Sequence, residues 1–240
     1  MLKNFSATAL ACVTIALFAV APTFAQDEST AIDSSKIPAS ANSLDAFVPA
    51  GWKIEEKIEG DLNDDKKSDT ILKLIEDKPD TAKDGMKTDR SRALVIVFAG
   101  GDAKYRLAAV NGTLLQCTSC GGAFYGFVDA PANVSIAKGV IVIEQDHGSR
   151  DVTDTTYRFR FDQQPNMFIL IGFDYSTRDR AAGGVWTEST NYLTGKRITT
   201  VDKGKKATTR TTTIAKDRIA LEAVDGDKMD AEATHRLGLD

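Results

Sequence analysis

Residues 156–161 read Thr-Tyr-Arg-Phe-Arg-Phe, with Tyr157, Phe159 and Phe161 alternating against Arg158 and Arg160. A helix would spread these side chains around its circumference. A strand sorts them onto two faces, one apolar and one wet. The same pattern recurs along the chain: strand signals fall at 52–58, 70–75, 93–98, 105–110, 134–136, 140–143, 168–175, 185–192, 195–201 and 208–214. Each is short and bounded by turn residues. Asn111-Gly112 and Lys138-Gly139 mark tight reversals. The last segment is threonine-rich, and β-branched side chains suit a pleated surface. No βαβ alternation is visible, and no fixed-period repeat suggests a propeller. Nine to eleven short strands predict an all-β fold, an antiparallel sandwich or an open barrel or meander. A short C-terminal helix is expected over 230–239, and the charged stretch 77–92 reads as an exposed loop.

The two ends bound the domain. Residues 1–25 read as a secretory signal peptide, with Lys3, an apolar run over 7–20, and Thr23-Phe24-Ala25 before a cut at Gln26. The run is shorter than the roughly 18–20 apolar residues of a spanning helix. Cys12 lies inside it and would be lost with it. Residues 26–43, rich in Ser, Ala and Asp, read as a flexible leader. The β-rich domain is expected over 44–224 and a C-terminal tail over 225–240. The chain has 30 basic and 34 acidic residues and a net charge of −4. Losing Lys3 makes the balance more acidic, which argues against nucleic acid as a partner. No second long apolar segment follows, so no membrane span is expected after cleavage. The protein is expected to be exported: periplasmic in a diderm host, otherwise secreted. Cys117 and Cys120 would then remain, and an even pair in an exported chain reads as a disulfide. A redox couple would need a helix that lowers one thiol's pKa. A zinc site would need two further ligands, and His147 and His235 are the only histidines.

Residues 61–69 put oxygen-bearing side chains at alternate positions between two apolar runs: Asp61, Asn63 and Asp65, with Asp69 closing the loop. Hard cations such as Ca2+ take six to eight oxygen ligands. Leu72 at the twelfth position, in place of a bidentate Glu, excludes an EF-hand. The stretch 59–72 resembles the calcium loop of FG-GAP-type repeats, which joins two strands with the pattern Asp-x-Asp/Asn-x-Asp-Gly-x-x-Asp. That resemblance implies side-chain ligands from Asp61, Asn63, Asp65 and Asp69 and a carbonyl ligand from Lys67. It departs at Lys66, where the family has glycine. A positive φ there would cost of order 1 kcal/mol, and Lys66 and Lys67 both oppose a cation. The plain alternative is a solvated turn, since Asp and Asn are turn formers. A second acidic cluster, 225–230, reads as a turn.

No nucleophile elbow is present. Asp146 and His147 suggest a hydrolase as an alternative, but neighbours on a strand point apart, so 146–150 reads as a polar hairpin turn. Arg158, Arg160, Arg178 and Arg180 form either a basic patch or an ordinary solvated face. Trp52, Tyr125, Trp186 and Tyr192 form either a carbohydrate platform or core. The wider pattern resembles exported β-rich bacterial envelope proteins. The expected function is a calcium-stabilised binding or interaction domain without a catalytic site, taking an envelope protein or a glycan as partner.

Overall fold

The structure is a computed structural model that describes residues 31–82, 85–100, 104–204 and 206–239. The signal peptide expected over 1–25 and the start of the leader lie outside the described residues. The chain is all-β, with twelve strands and a short C-terminal helix among the described residues. The strands are β1 (Ser40–Ala41), β2 (Trp52–Gly60), β3 (Asp69–Glu76), β4 (Arg92–Ala99), β5 (Tyr105–Asn111) and β6 (Ala132–Ala137). They continue with β7 (Val140–Gly148), β8 (Asp151–Asp162), β9 (Met167–Asp179), β10 (Val185–Asn191), β11 (Lys196–Asp202) and β12 (Ala207–Thr213). Helix α1 spans Gly226–Leu237.

Two open antiparallel sheets result. The first has the order β1-β5-β4-β3-β2, and the second runs β12-β11-β10-β9-β8-β7-β6. Within each sheet the paired strands are sequence neighbours, except that β1 joins the edge of β5 through Ser40↔Arg106 and Ala41↔Tyr105. The sheets face each other across one core. Ile71, Leu94, Ile96 and Phe98 come from the first sheet, and Ile141, Ile143, Phe159, Phe168 and Phe173 from the second. Phe98 and Phe161 meet edge to face at 4.9 Å between ring centroids, a favoured aromatic geometry.

All eight residues of β3 are buried, and seven of the eight in β4. Strands this apolar must be covered on both faces. Leu94, Ile96 and Phe98 turn to the central core, while Ala93, Val95 and Val97 turn to a second cluster with Ile37, Phe47 and Trp52. The cover is the segment expected to be a leader. From Ser34 onward it is packed, with a 3-10 turn at Ser34–Lys36, strand β1, and Ile37 buried. The free leader is therefore corrected to a packed one over its described part, because the outer face of β3 and β4 needs its apolar side chains.

Two further expectations change. The stretch 77–92 is not uniformly exposed: Arg90 is 7% and Arg92 3% exposed, and each guanidinium is held by carboxylates. Arg90 binds Asp80 and Asp129. Arg92 binds Glu55 with Nε to Oε2 at 2.9 Å. The cluster at 225–230 is a helix start rather than a turn. Asp225 is the N-cap, its side chain accepting from Lys228 N at 3.0 Å, and Gly238 ends the helix with φ 69°.

Candidate functional site: an acidic crevice beside the C-terminal helix

Strand β7 sets the crevice floor. Its inward positions run Ile141, Ile143, Gln145 and His147, so the face turns from apolar to polar along one strand. The opposing strand does the same with Thr153 and Thr155, both buried. Three buried side chains fix the wall formed by residues 112–120. Asn111 Nδ2 donates to the carbonyls of Leu221 (2.7 Å) and Val224 (2.8 Å), and its Oδ1 accepts from Thr113 N and Leu114 N. Gln145 Oε1 accepts from Gln116 N at 2.7 Å, and its Nε2 donates to Leu114 O. Arg92 Nη1 donates to the carbonyls of Gln116 and Ala130. The start of α1 closes the other side. A Cβ at Gly226 would lie 2.7 Å from Leu114 O, so the helix start and the wall approach as only glycine permits.

The crevice is open to solvent and has a volume of about 430 Å³. Its wall brings together Asp89, Asp225, Asp227 and Asp230 with His147 and Tyr157. The lining cation, Arg92, is already committed to Glu55. Asp230 stands centrally. Its Oδ1 accepts from Tyr157 Oη at 3.3 Å, and its Oδ2 lies 3.7 Å from His147 Nε2. Burial pushes Asp230 up to about 7, with Asp227 adding to the rise and the Tyr157 bond opposing it. Burial also lowers His147, against the pull of Asp227, Asp146 and Asp154. Burial thus biases both partners of the 3.7 Å contact toward their neutral forms, which weakens it as an ion pair. Burial raises the Tyr157 phenol far above its ordinary range. A second cavity of about 450 Å³, with Trp186, Tyr175 and Thr234 in its wall, shares His147 and Asp230.

The Asp146–His147 pair does not assemble. The strand continues to Gly148, so 146–148 belong to a strand rather than a turn, with His147 opposite Thr153. Asp146 faces the other side and accepts from Tyr125 Oη at 2.6 Å. Burial foremost, with Asp146 adding to it, pushes Tyr125 up to about 12. Among the described residues no hydroxyl or thiol hydrogen-bonds His147. Cys117 and Cys120 are joined and sit at the crevice rim.

The Asp61 loop lies away from the crevice. Asp61 Oδ1 accepts from Asp64 N (2.8 Å) and Oδ2 from Lys66 N (2.9 Å). Asn63 Oδ1 accepts from Asp65 N, and Asp65 Oδ1 from Lys67 N. Asp69, fully buried, caps Leu62 N at 2.9 Å and Ala99 N at 3.0 Å. Burial raises its pKa, the two amides oppose the rise, and Asp65 and Asp61 add to it. Lys66 has φ 67° and Asp64 φ 64°. The donors are the hard oxygens that Ca2+ takes, and Asp61 Oδ2, Asn63 Oδ1 and Asp65 Oδ1 each keep a lone pair beyond their one amide. They fit a cation by chemistry. Among the described residues, however, no three His, Cys, Asp or Glu groups converge as a metal site.

Of the four arginines on the outer face, Arg158 and Arg178 pair across strands, and Arg180 lies over the Phe124 ring at 5.4 Å. Arg158 binds Asp174, and Arg178 binds Asp154 at 2.8 Å. Trp52 belongs to the outer cluster, whereas Tyr192 and Trp186 belong to the central core, so no aromatic platform forms. Among the described residues no helix is long and apolar enough to cross a membrane. The sequence reading missed Asp89, Asp227, Asp230 and Tyr157. An Asp N-cap followed by a helical stretch ending at a glycine was the available signal for α1. No family model matches the chain, and neither a curated protein nor a solved structure matches it.

Proposed function

We propose that the protein is an exported envelope domain that acts by binding, and that its acidic crevice takes a positively charged group of a partner protein. The single observation that supports this is the approximately 430 Å³ cavity walled by Asp89, Asp225, Asp227 and Asp230, whose lining arginine is already paired with Glu55. Carboxylates gathered in a cleft with low-dielectric walls focus a negative potential and attract cations. A lysine or arginine side chain would find acceptors there that a neutral glycan would use less well.

The test uses a short lysine-rich peptide and calorimetry. Asp227 is exposed and holds no partner that shapes the fold, so Asp227→Asn leaves the structure intact. Combined with Asp89→Asn it is expected to weaken binding about tenfold, or about 1.4 kcal/mol. Equal affinity in the double variant would remove the crevice from the proposal.

The second element is Ca2+ as a structural clip on the Asp61 loop, with Asp61, Asn63, Asp65 and Asp69 as side-chain ligands and Lys67 as a carbonyl ligand. The support is the oxygen donor set and its resemblance to FG-GAP loops. Calcium titration should release or absorb heat and raise the melting temperature, with EDTA reversing both. Absence of heat together with an unmoved transition eliminates the clip. Export itself is checked by whether the mature chain begins at Gln26.

A further inference from the structure

The β11–β12 hairpin differs from the rest of the molecule in both charge and exposure. Residues 196–218 contain eight lysines and arginines against Asp202 and Asp217, in a chain whose net charge is −4. Arg197 is taken by Glu188 and Arg218 lies near Asp162. Lys196, Lys203, Lys206, Arg210 and Lys216 are exposed, and no carboxylate among the described residues pairs with them.

The outer edge of β12 is also open. It ends the second sheet and pairs only with β11, in seven consecutive registered pairs from Lys196↔Thr213 to Asp202↔Ala207. Six of its seven residues are exposed. It has no bulge and no proline, two of the devices that blunt an edge; its remaining guard is cationic, which an acidic strand would neutralise. The opposite edge strand, β6, instead packs against the first sheet: a Cβ at Gly60 of β2 would lie 3.1 Å from the Ile136 side chain of β6. A bare edge offers alternating N–H and C=O groups to any extended chain. Arg210 in mid-strand and Lys206 beside it disfavour a second copy, since pairing two β12 strands would stack like charges.

We propose that β12 accepts an extended acidic segment of a partner protein as an added antiparallel strand. The backbone edge selects a polypeptide, and the cations select its sign. This surface is separate from the crevice and stands whether or not the crevice binds.

The probe is a ten-residue peptide of alternating Glu and Val, with a second version N-methylated at every residue, so that neither of its edges can donate to β12. The first is expected to bind and to slow hydrogen exchange of the β12 amides. The N-methylated version should lose binding. Lys206→Glu combined with Arg210→Glu should weaken the first peptide at least about tenfold, and added salt should weaken it further. Neighbouring amides on a strand point to opposite sides, so of Thr208→Pro and Thr209→Pro one should keep its melting temperature while losing the peptide. Three results overturn the proposal: no binding of the first peptide, equal binding of the N-methylated peptide, or binding that leaves β12 exchange unchanged. Phosphatidylglycerol vesicles and polyphosphate serve as further arms. If either binds as tightly as the peptide, the hairpin is a general anion surface and strand addition is refuted.

Discussion

Glu188→Ala is expected to lower stability by about 3–5 kcal/mol, the usual cost of removing one partner from a buried charge cluster. Glu188 is 1% exposed and sits on the inward face of β10. Its Oε1 lies 2.8 Å from Arg236 Nη2 and 3.2 Å from Arg197 Nε, and its Oε2 lies 2.8 Å from Arg236 Nε. Thr190 Oγ1 also donates to it at 3.1 Å. The carboxylate therefore joins α1 to two strands of the second sheet. Alanine would leave Arg197 without its carboxylate and Arg236 with only Glu232, at 3.4 Å on the exposed side. Glu188→Gln keeps hydrogen-bond acceptance by its amide oxygen and should cost less. Urea unfolding followed by tryptophan fluorescence measures both. A loss below about 1 kcal/mol in the alanine variant would show that water replaces the carboxylate without penalty.

Asp230→Asn should act in the opposite direction, with a gain that grows as pH rises from about 4 to about 7. The folded Asp230 carboxyl is raised from 3.8 to about 7, chiefly by burial. A group raised on folding stabilises fully below its unfolded pKa, and that contribution is lost as pH rises through the folded value. The window therefore runs from about pH 4 to about pH 7. The rise corresponds to at most roughly 4 kcal/mol held against the ionised form. Asparagine carries no charge to bury, so the variant should be more stable than the parent at pH 8 by a large part of that figure. At pH 4 the two should nearly coincide. His147 works in the other direction, because its lowered pKa favours the neutral ring, and that contribution is lost as pH falls below its ordinary 6.5. Melting curves across pH 4 to 8 decide the matter. Parallel curves for parent and variant would show that Asp230 ionises freely in the folded protein.

The strands were legible wherever one face stays apolar for several residues. The run at 156–161 lies inside β8, and that at 93–98 inside β4. The pattern fails where the inner face turns polar, at Gln145 and His147 on β7 and Thr153 and Thr155 on β8. Those are the positions that form the crevice, so the periodicity ended where the site began. Strand β1 was illegible because two residues carry no period. Asp230 was visible as an acidic residue, but its environment depends on Tyr157, which lies 73 positions away. The disulfide could be read from its spacing and from the expected export, while the use of Arg92 as a buried strut could not, since its carboxylate partner lies 37 residues earlier.

The meander sets an order of assembly. Apart from β1, every ladder joins strands that follow one another in the chain, so each hairpin can close as soon as its second strand is available, at low loop-closure cost. The molecule is sealed by its two latecomers, β1 on β5 and α1 on the second sheet, and α1 contributes the buried Ala233 and Leu237 to the central core. A chain that has made its hairpins but not docked α1 would still show open Tyr157 and Tyr175. Pulsed hydrogen exchange during refolding should find the β8–β9 amides protected before those of α1. Simultaneous protection would mean that the hairpins are not stable until the last helix arrives.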